Sequence, residues 1–233
     1  MPHKVPRFSS SFHLDSLASR LSLWRTLLLI ALGLIGNGLT STGFRASAQD
    51  TDITSWSSSP TYTDLEEART VRASGTPIYK LDLSKSRLKS FPAEIAHWDE
   101  LREVTLDRNK ISEINEDLSL WQHLVRFSAA SNQLNAFPDD LTQWSALEFL
   151  NLADNYIDSI PLDIDAMQHL QEVILWSNVI EHYPASLGDM KELLRLDLEY
   201  NDMTAEEQEL LKSWLPDRVQ LVLSKPCRCQ FDD

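Results

Sequence analysis

Residues 147–157 run Leu147-Glu148-Phe149-Leu150-Asn151-Leu152-Ala153-Asp154-Asn155-Tyr156-Ile157. Leu150 and Leu152 stand two apart, so on an extended strand both project from one face while Phe149, Asn151 and Ala153 project from the other. Asn155 comes where such a strand would turn away, and the same spacing returns every 23 residues on both sides. Written in blocks of 23 from Ile78, the chain aligns at Ile78, Leu101, Leu124, Leu147, Leu170 and Leu193. Column four then holds Leu81, Val104, Phe127, Leu150, Val173 and Leu196, and column six Leu83, Leu106, Ala129, Leu152, Leu175 and Leu198. Column nine holds Ser86 and then Asn109, Asn132, Asn155, Asn178 and Asn201.

With Leu88, Ile111, Leu134, Ile157, Ile180 and Met203 in column eleven, the pattern is L-x-x-L-x-L-x-x-N-x-L, the leucine-rich-repeat signature. It predicts an α/β fold, a right-handed leucine-rich-repeat solenoid with a parallel concave sheet. Each repeat contributes one strand, and stacked neighbours bury the face that a single repeat cannot cover. The ladder Asn109, Asn132, Asn155, Asn178 and Asn201 has a structural job: an amide that donates and accepts can satisfy backbone groups orphaned at the turn.

The second half of each repeat is as regular. Column fourteen (Phe91, Ile114, Phe137, Ile160, Tyr183) is followed by Pro92, Asn115, Pro138, Pro161 and Pro184. Proline there disfavours long helix, so the side opposite the sheet should carry short turns. Column twenty-one holds Trp98, Trp121, Trp144, Met167 and Met190, an apolar stripe expected to pack in the core.

Flanking segments have their own composition. Residues 1–48 hold five Lys/Arg and one acid, an apolar run over 27–35, and Ala46-Ser47-Ala48 before Gln49. The run is short for a span, so a cleaved signal peptide is expected, with an uncleaved anchor as the alternative. Export with cleavage near Ala48 and no transmembrane span in the mature chain follow. Residues 49–62, rich in Ser, Thr and Asp, suggest a flexible leader. Residues 63–77 are expected to be the N-terminal cap, with a helix over 63–72 opened by a capping box at Thr63-Asp64-Leu65-Glu66. The repeats occupy 78–203, five complete and a sixth partial. A second capping box, Thr204-Ala205-Glu206-Glu207, opens the C-terminal cap over 204–225, where Val219, Leu221 and Leu223 alternate as a last strand would. Cys227 and Cys229 lie in the tail 226–233; a local disulfide between them is expected in an oxidising compartment, with intermolecular pairing or free thiols as alternatives.

The chain over residues 62–229 resembles small exported bacterial leucine-rich-repeat proteins. The resemblance rests on Leu65-Glu66-Glu67-Ala68, the repeat columns and the ending L-P-x-x-V-x-L-x-x-S-x-P-C-x-C over residues 215–229. It implies a curved parallel sheet used to bind protein, without naming a ligand.

Beyond residue 48 the chain carries 16 basic and 34 acidic side chains, a formal charge of −18, which disfavours nucleic acid and anionic membrane as partners. His97, His123, His169 and His182 belong to no nucleophile or metal motif, and no phosphate-binding loop occurs, so neither catalysis, metal nor cofactor is expected. Columns three, five, seven and eight face outward on the concave side. Their C-terminal half gathers Phe149, Asn151, Ile174, Trp176 and Tyr200 with Arg126, Glu172 and Arg195, the composition of an interface hot spot. The expected function is a monomeric, non-catalytic scaffold for a protein or peptide ligand outside the cytoplasm. A structural, adhesive or self-associating envelope role is the alternative.

Overall fold

The structure, a computed structural model, describes residues 56–226. The signal-peptide reading of residues 1–48 and the Cys227–Cys229 pairing lie outside the described residues.

Every column-four residue faces its counterpart in the next repeat. The six repeat strands are β2 (Lys80–Asp82), β3 (Glu103–Thr105), β4 (Arg126–Ser128), β5 (Phe149–Asn151), β6 (Glu172–Ile174) and β7 (Arg195–Asp197). All pair in parallel, with Leu81, Val104, Phe127, Leu150, Val173 and Leu196 in register. Columns four and six are buried throughout, as the two-residue alternation requires.

Two further strands continue this sheet. β1 (Thr61–Tyr62) precedes β2, and β8 (Gln220–Val222) follows β7, giving one eight-stranded sheet in chain order. β1 corrects the flexible-leader reading of residues 49–62 at its end. Tyr62 pairs with Leu81 and packs on the core, while the Lys80 ammonium bonds the Ser57 carbonyl at 2.8 Å and lies over the Trp56 ring. A Ser/Thr-rich composition hides this, because the edge of β2 supplies backbone partners whatever the side chains are.

Helix α1 (Leu65–Ala73) covers the first repeat with Leu65, Ala68 and Val71 toward the core. Its cap is Asp64, whose carboxylate accepts from the Glu67 N–H at 2.8 Å; the predicted box on Thr63 is thus displaced by one residue. Arg72 anchors α1 to the repeats through a bidentate pair with Glu100, at 2.6 and 3.1 Å. Burial pushes the Glu100 carboxyl up, but hydrogen bonds from Arg72 and backbone amides outweigh it and leave the group below its ordinary range. At the other end α2 (Ala205–Trp214) carries a complete capping box between Thr204 and Glu207. Its Gln208 and Leu211 are buried, and β8 follows to pair with β7.

The asparagine side chains occupy one repeated environment. Asn155 Nδ2 donates to the carbonyls of Leu152 in its own repeat and Ala129 in the preceding one, while Oδ1 accepts from the Leu134 N–H. Asn109, Asn132, Asn178 and Asn201 repeat the pattern; Asn109, for example, accepts from Leu88 N–H and donates to Leu83 and Leu106. To aim column nine inward the chain takes a left-handed residue at column eight: Lys85, Arg108, Ser131, Asp154, Ser177 and Tyr200 all have φ between 54° and 58°. None is glycine or asparagine, so each turn carries backbone strain that the ladder bonds must offset.

Opposite the sheet, short 3-10 turns follow the prolines at Ala93–His97, Leu141–Gln143, Ile164–Ala166 and Ala185–Asp189. Repeat two, where Asn115 replaces proline, forms none. The tryptophan column is core: Trp98, Trp121 and Trp144 are buried, and Trp121 and Trp144 pack ring to ring at 5.4 Å, with Phe91 and Phe127 against them. Trp121 Nε1 donates to the Ile95 carbonyl. Trp144 Nε1, stacked on the repeat that lacks its 3-10 turn, is buried with no acceptor.

Candidate functional site

Because columns three, five and seven sit opposite the core columns, parallel register lines them up on the open face of the sheet. Arg126, Phe149, Glu172 and Arg195 are adjacent in column three, and Asn151, Ile174 and Asp197 in column five. Trp176 and Tyr200 follow at columns seven and eight, 39% and 70% exposed.

The eight predicted residues do not form one round cluster. Arg126 lies over the Phe149 ring with its guanidinium carbon 4.0 Å from the centroid, so these two act as a unit whose ring face is already covered. Arg195 is turned onto Asp197 at 2.8 Å, and Asp197 is itself buried and accepts from the Glu199 N–H. Asn151 is spent locally: its Oδ1 accepts from the Ala153 N–H. What remains outward is Glu172 and a diagonal of larger groups, from Arg126–Phe149 through Ile174 and Trp176 to Tyr200. Strand spacing of about 4.8 Å and rise of about 3.3 Å per residue make it roughly 20 Å long, the reach of six extended residues.

Column seven runs Asp107, Ala130, Ala153, Trp176 and Glu199, but Ala153 is fully buried and so is not part of the outward face that the alternation predicts. Asp107 is held in place, accepting from the Ser128 hydroxyl and the Ala130 N–H at 2.6 and 2.8 Å.

Two features of this face escaped the sequence reading. Column five is structural as often as it is exposed: Asp82, Asn151 and Asp197 each accept from the backbone N–H two residues on. Their residue type at that offset is the signal, since Asp and Asn close such turns. Column ten adds surface: Tyr156 is 62% exposed and Val179 is also open, beside the turn that presents Tyr200. Their alternation with buried column nine and eleven marks them as outward, and they extend the apolar strip past the sheet edge.

His169 meets Glu192 at 3.3 Å on the surface. Among the described residues, no group of three or more His, Cys, Asp or Glu side chains could hold a metal ion, and no helix is long and apolar enough to cross a membrane.

No protein-family model matches the sequence, and no curated protein matches it. Solved structures do. An internalin from Listeria monocytogenes is 19% identical with a TM-score of 0.54, covering 64% of this chain and 43% of its own. Internalin C2 from the same organism is 19% identical with a TM-score of 0.56, covering 70% and 66%. The TLR13–ssRNA13 complex matches at 28% identity and a TM-score of 0.52, covering 64% of this chain and 22% of that one. This chain therefore spans less than two thirds of the length of each. What this chain shares with them is the fold.

Proposed function

We propose that this leucine-rich-repeat protein is a non-catalytic scaffold that binds an extended peptide, or an extended segment of a protein, across the open face of its sheet, outside the cytoplasm. The observation that carries the reading is the diagonal from Arg126–Phe149 through Ile174 and Trp176 to Tyr200. Large exposed aromatics such as Trp176 and Tyr200, held just beyond the ends of β6 and β7, are costly to keep in water and suited to anchoring a ligand.

One structural neighbour is a complex with ssRNA13. A formal charge of −18 beyond residue 48 argues against that ligand class here, because phosphate binding requires a cationic surface. Self-association is the second reading, favoured by the position of β8 as the last strand of the sheet.

The test is selection of displayed random peptides on the purified protein, followed by binding of the selected peptide to Trp176→Ala/Phe149→Ala. Loss of two such anchors should weaken binding by about 2–4 kcal/mol, at least 30-fold, with thermal unfolding nearly unchanged. Equal binding by the double variant refutes the site. Tight, salt-sensitive retention of single-stranded RNA refutes the ligand class, and concentration-dependent size in solution favours self-association.

A further inference from the structure

A second surface lies on the side away from the sheet, where α2 passes the turns of repeats four and five. Leu162, Pro184, Leu210 and Trp214 line a groove there of about 310 Å³, with Glu181 and Glu207 in its wall. Leu162 is 83% exposed and Leu210 half exposed. An isolated exposed leucine needs no explanation, but two of them facing one apolar hollow do.

The groove is built rather than accidental. Its floor is tied by a parallel bridge between Ser159 and His182, and the Ser186 hydroxyl donates to the Leu162 carbonyl at 2.7 Å. Its far wall is set by Gly188: a methyl group there would stand 2.6 Å from the Trp214 carbonyl oxygen, so only glycine lets α2 sit this close. Glu207 is fixed as well, because its Oε2 accepts from both the Thr204 N–H and hydroxyl. A preformed hollow loses little entropy when it is filled.

Its charge has one sign. The lining holds two carboxylates and no Lys or Arg. Burial, and then Glu207 and Asp202, push the Tyr183 phenol well above its ordinary value, consistent with negative potential inside the groove. The Tyr183 hydroxyl donates instead to the Ile180 carbonyl at 2.9 Å. A second copy of this acidic chain and an anionic lipid surface would both be repelled.

We infer that this groove is a docking site for a cationic apolar peptide segment, one that seats leucine-sized side chains against Leu162, Leu210 and Trp214 and sets Lys or Arg beside Glu181 and Glu207. The volume suits one or two such side chains, at the small end of ligand cavities. The site is separate from the open face of the sheet and stands or falls without it.

The experiment titrates the full chain with an acetylated, amidated peptide of alternating Lys and Leu-Leu, and with its counterpart carrying Glu for Lys. Calorimetry reads the affinity. The cationic peptide should bind, and Leu162→Asp and Glu181→Lys should each weaken it at least tenfold; both residues are exposed, so folding is kept. Trp176→Ala should leave this binding unchanged. The inference is overturned if the anionic peptide binds equally, if Glu181→Lys has no effect, or if binding is lost in Trp176→Ala. It is also overturned if vesicles containing phosphatidylserine are retained, or if Leu162→Asp dissolves a dimer of the chain itself.

Discussion

Replacing Asn155 by alanine tests the proposition that the ladder holds the solenoid together. Its amide meets the carbonyls of Ala129, Leu152 and Ala153 at 3.0–3.1 Å and the Leu134 N–H at 3.0 Å, all in the interior. Alanine orphans the Leu134 N–H, at about 1–3 kcal/mol for a buried unpaired donor. Lost bonds to the carbonyls of two repeats and the small void bring the expected cost to about 3–5 kcal/mol. In urea, with a slope of about 2 kcal/mol per molar, the midpoint should fall by roughly 2 M. Asn115→Ala, an exposed asparagine outside the ladder, is the control and should cost under about 0.5 kcal/mol. Amide exchange at Leu134 should accelerate in the first variant alone. A midpoint shift below about 0.5 M at unchanged slope, with Leu134 still protected, would refute the reasoning.

Other consequences are equally open to measurement. Gly188→Ala forces a methyl group to 2.6 Å from the Trp214 carbonyl oxygen, so α2 must move; a loss of about 1–3 kcal/mol in denaturant unfolding is expected, with Trp214 emission red-shifted. Lys85→Asn places a residue tolerant of left-handed geometry at φ 58° and should raise stability by about 0.5–1 kcal/mol; a destabilised variant would contradict the strain argument. For Glu100 the sign is fixed by its lowered carboxyl. The stability contributed by its Arg72 pair is present above the ordinary glutamate value of 4.5 and is lost as pH falls through the lower folded value. The protection of the α1 amides, corrected for their intrinsic exchange rates, should therefore fall on acidification below that range, and Glu100→Gln should flatten the profile.

Some parts of the molecule could be seen in the sequence because one physical demand recurs at one interval. Columns four, six, nine and twenty-one repeat the same burial requirement, so each repeat is evidence for the others, and the buried Trp121 and Trp144 follow from position alone. The ends carry no such redundancy. β1 pairs its Tyr62 with Leu81, 19 residues away, and β8 pairs Leu221 with Leu196 at 25, so neither strand falls on the period; the alternation of Val219, Leu221 and Leu223 still marks β8, whereas only backbone pairing reveals β1. The open face was half legible. Alternation named Ile174 and Trp176 as outward, but which outward groups stay available depends on pairings between neighbours that a column cannot show. Arg126 covers Phe149, and Asp197 is drawn inward by Arg195 and its own turn. Those pairings narrow the proposed binding surface and shift its weight toward Trp176 and Tyr200. It follows that Tyr200→Ala should weaken peptide binding more than Arg195→Ala, since Tyr200 stands open and Arg195 is already partnered. The reverse order, measured on the same selected peptide, would mean that the ligand breaks the Arg195–Asp197 pair to reach its charge.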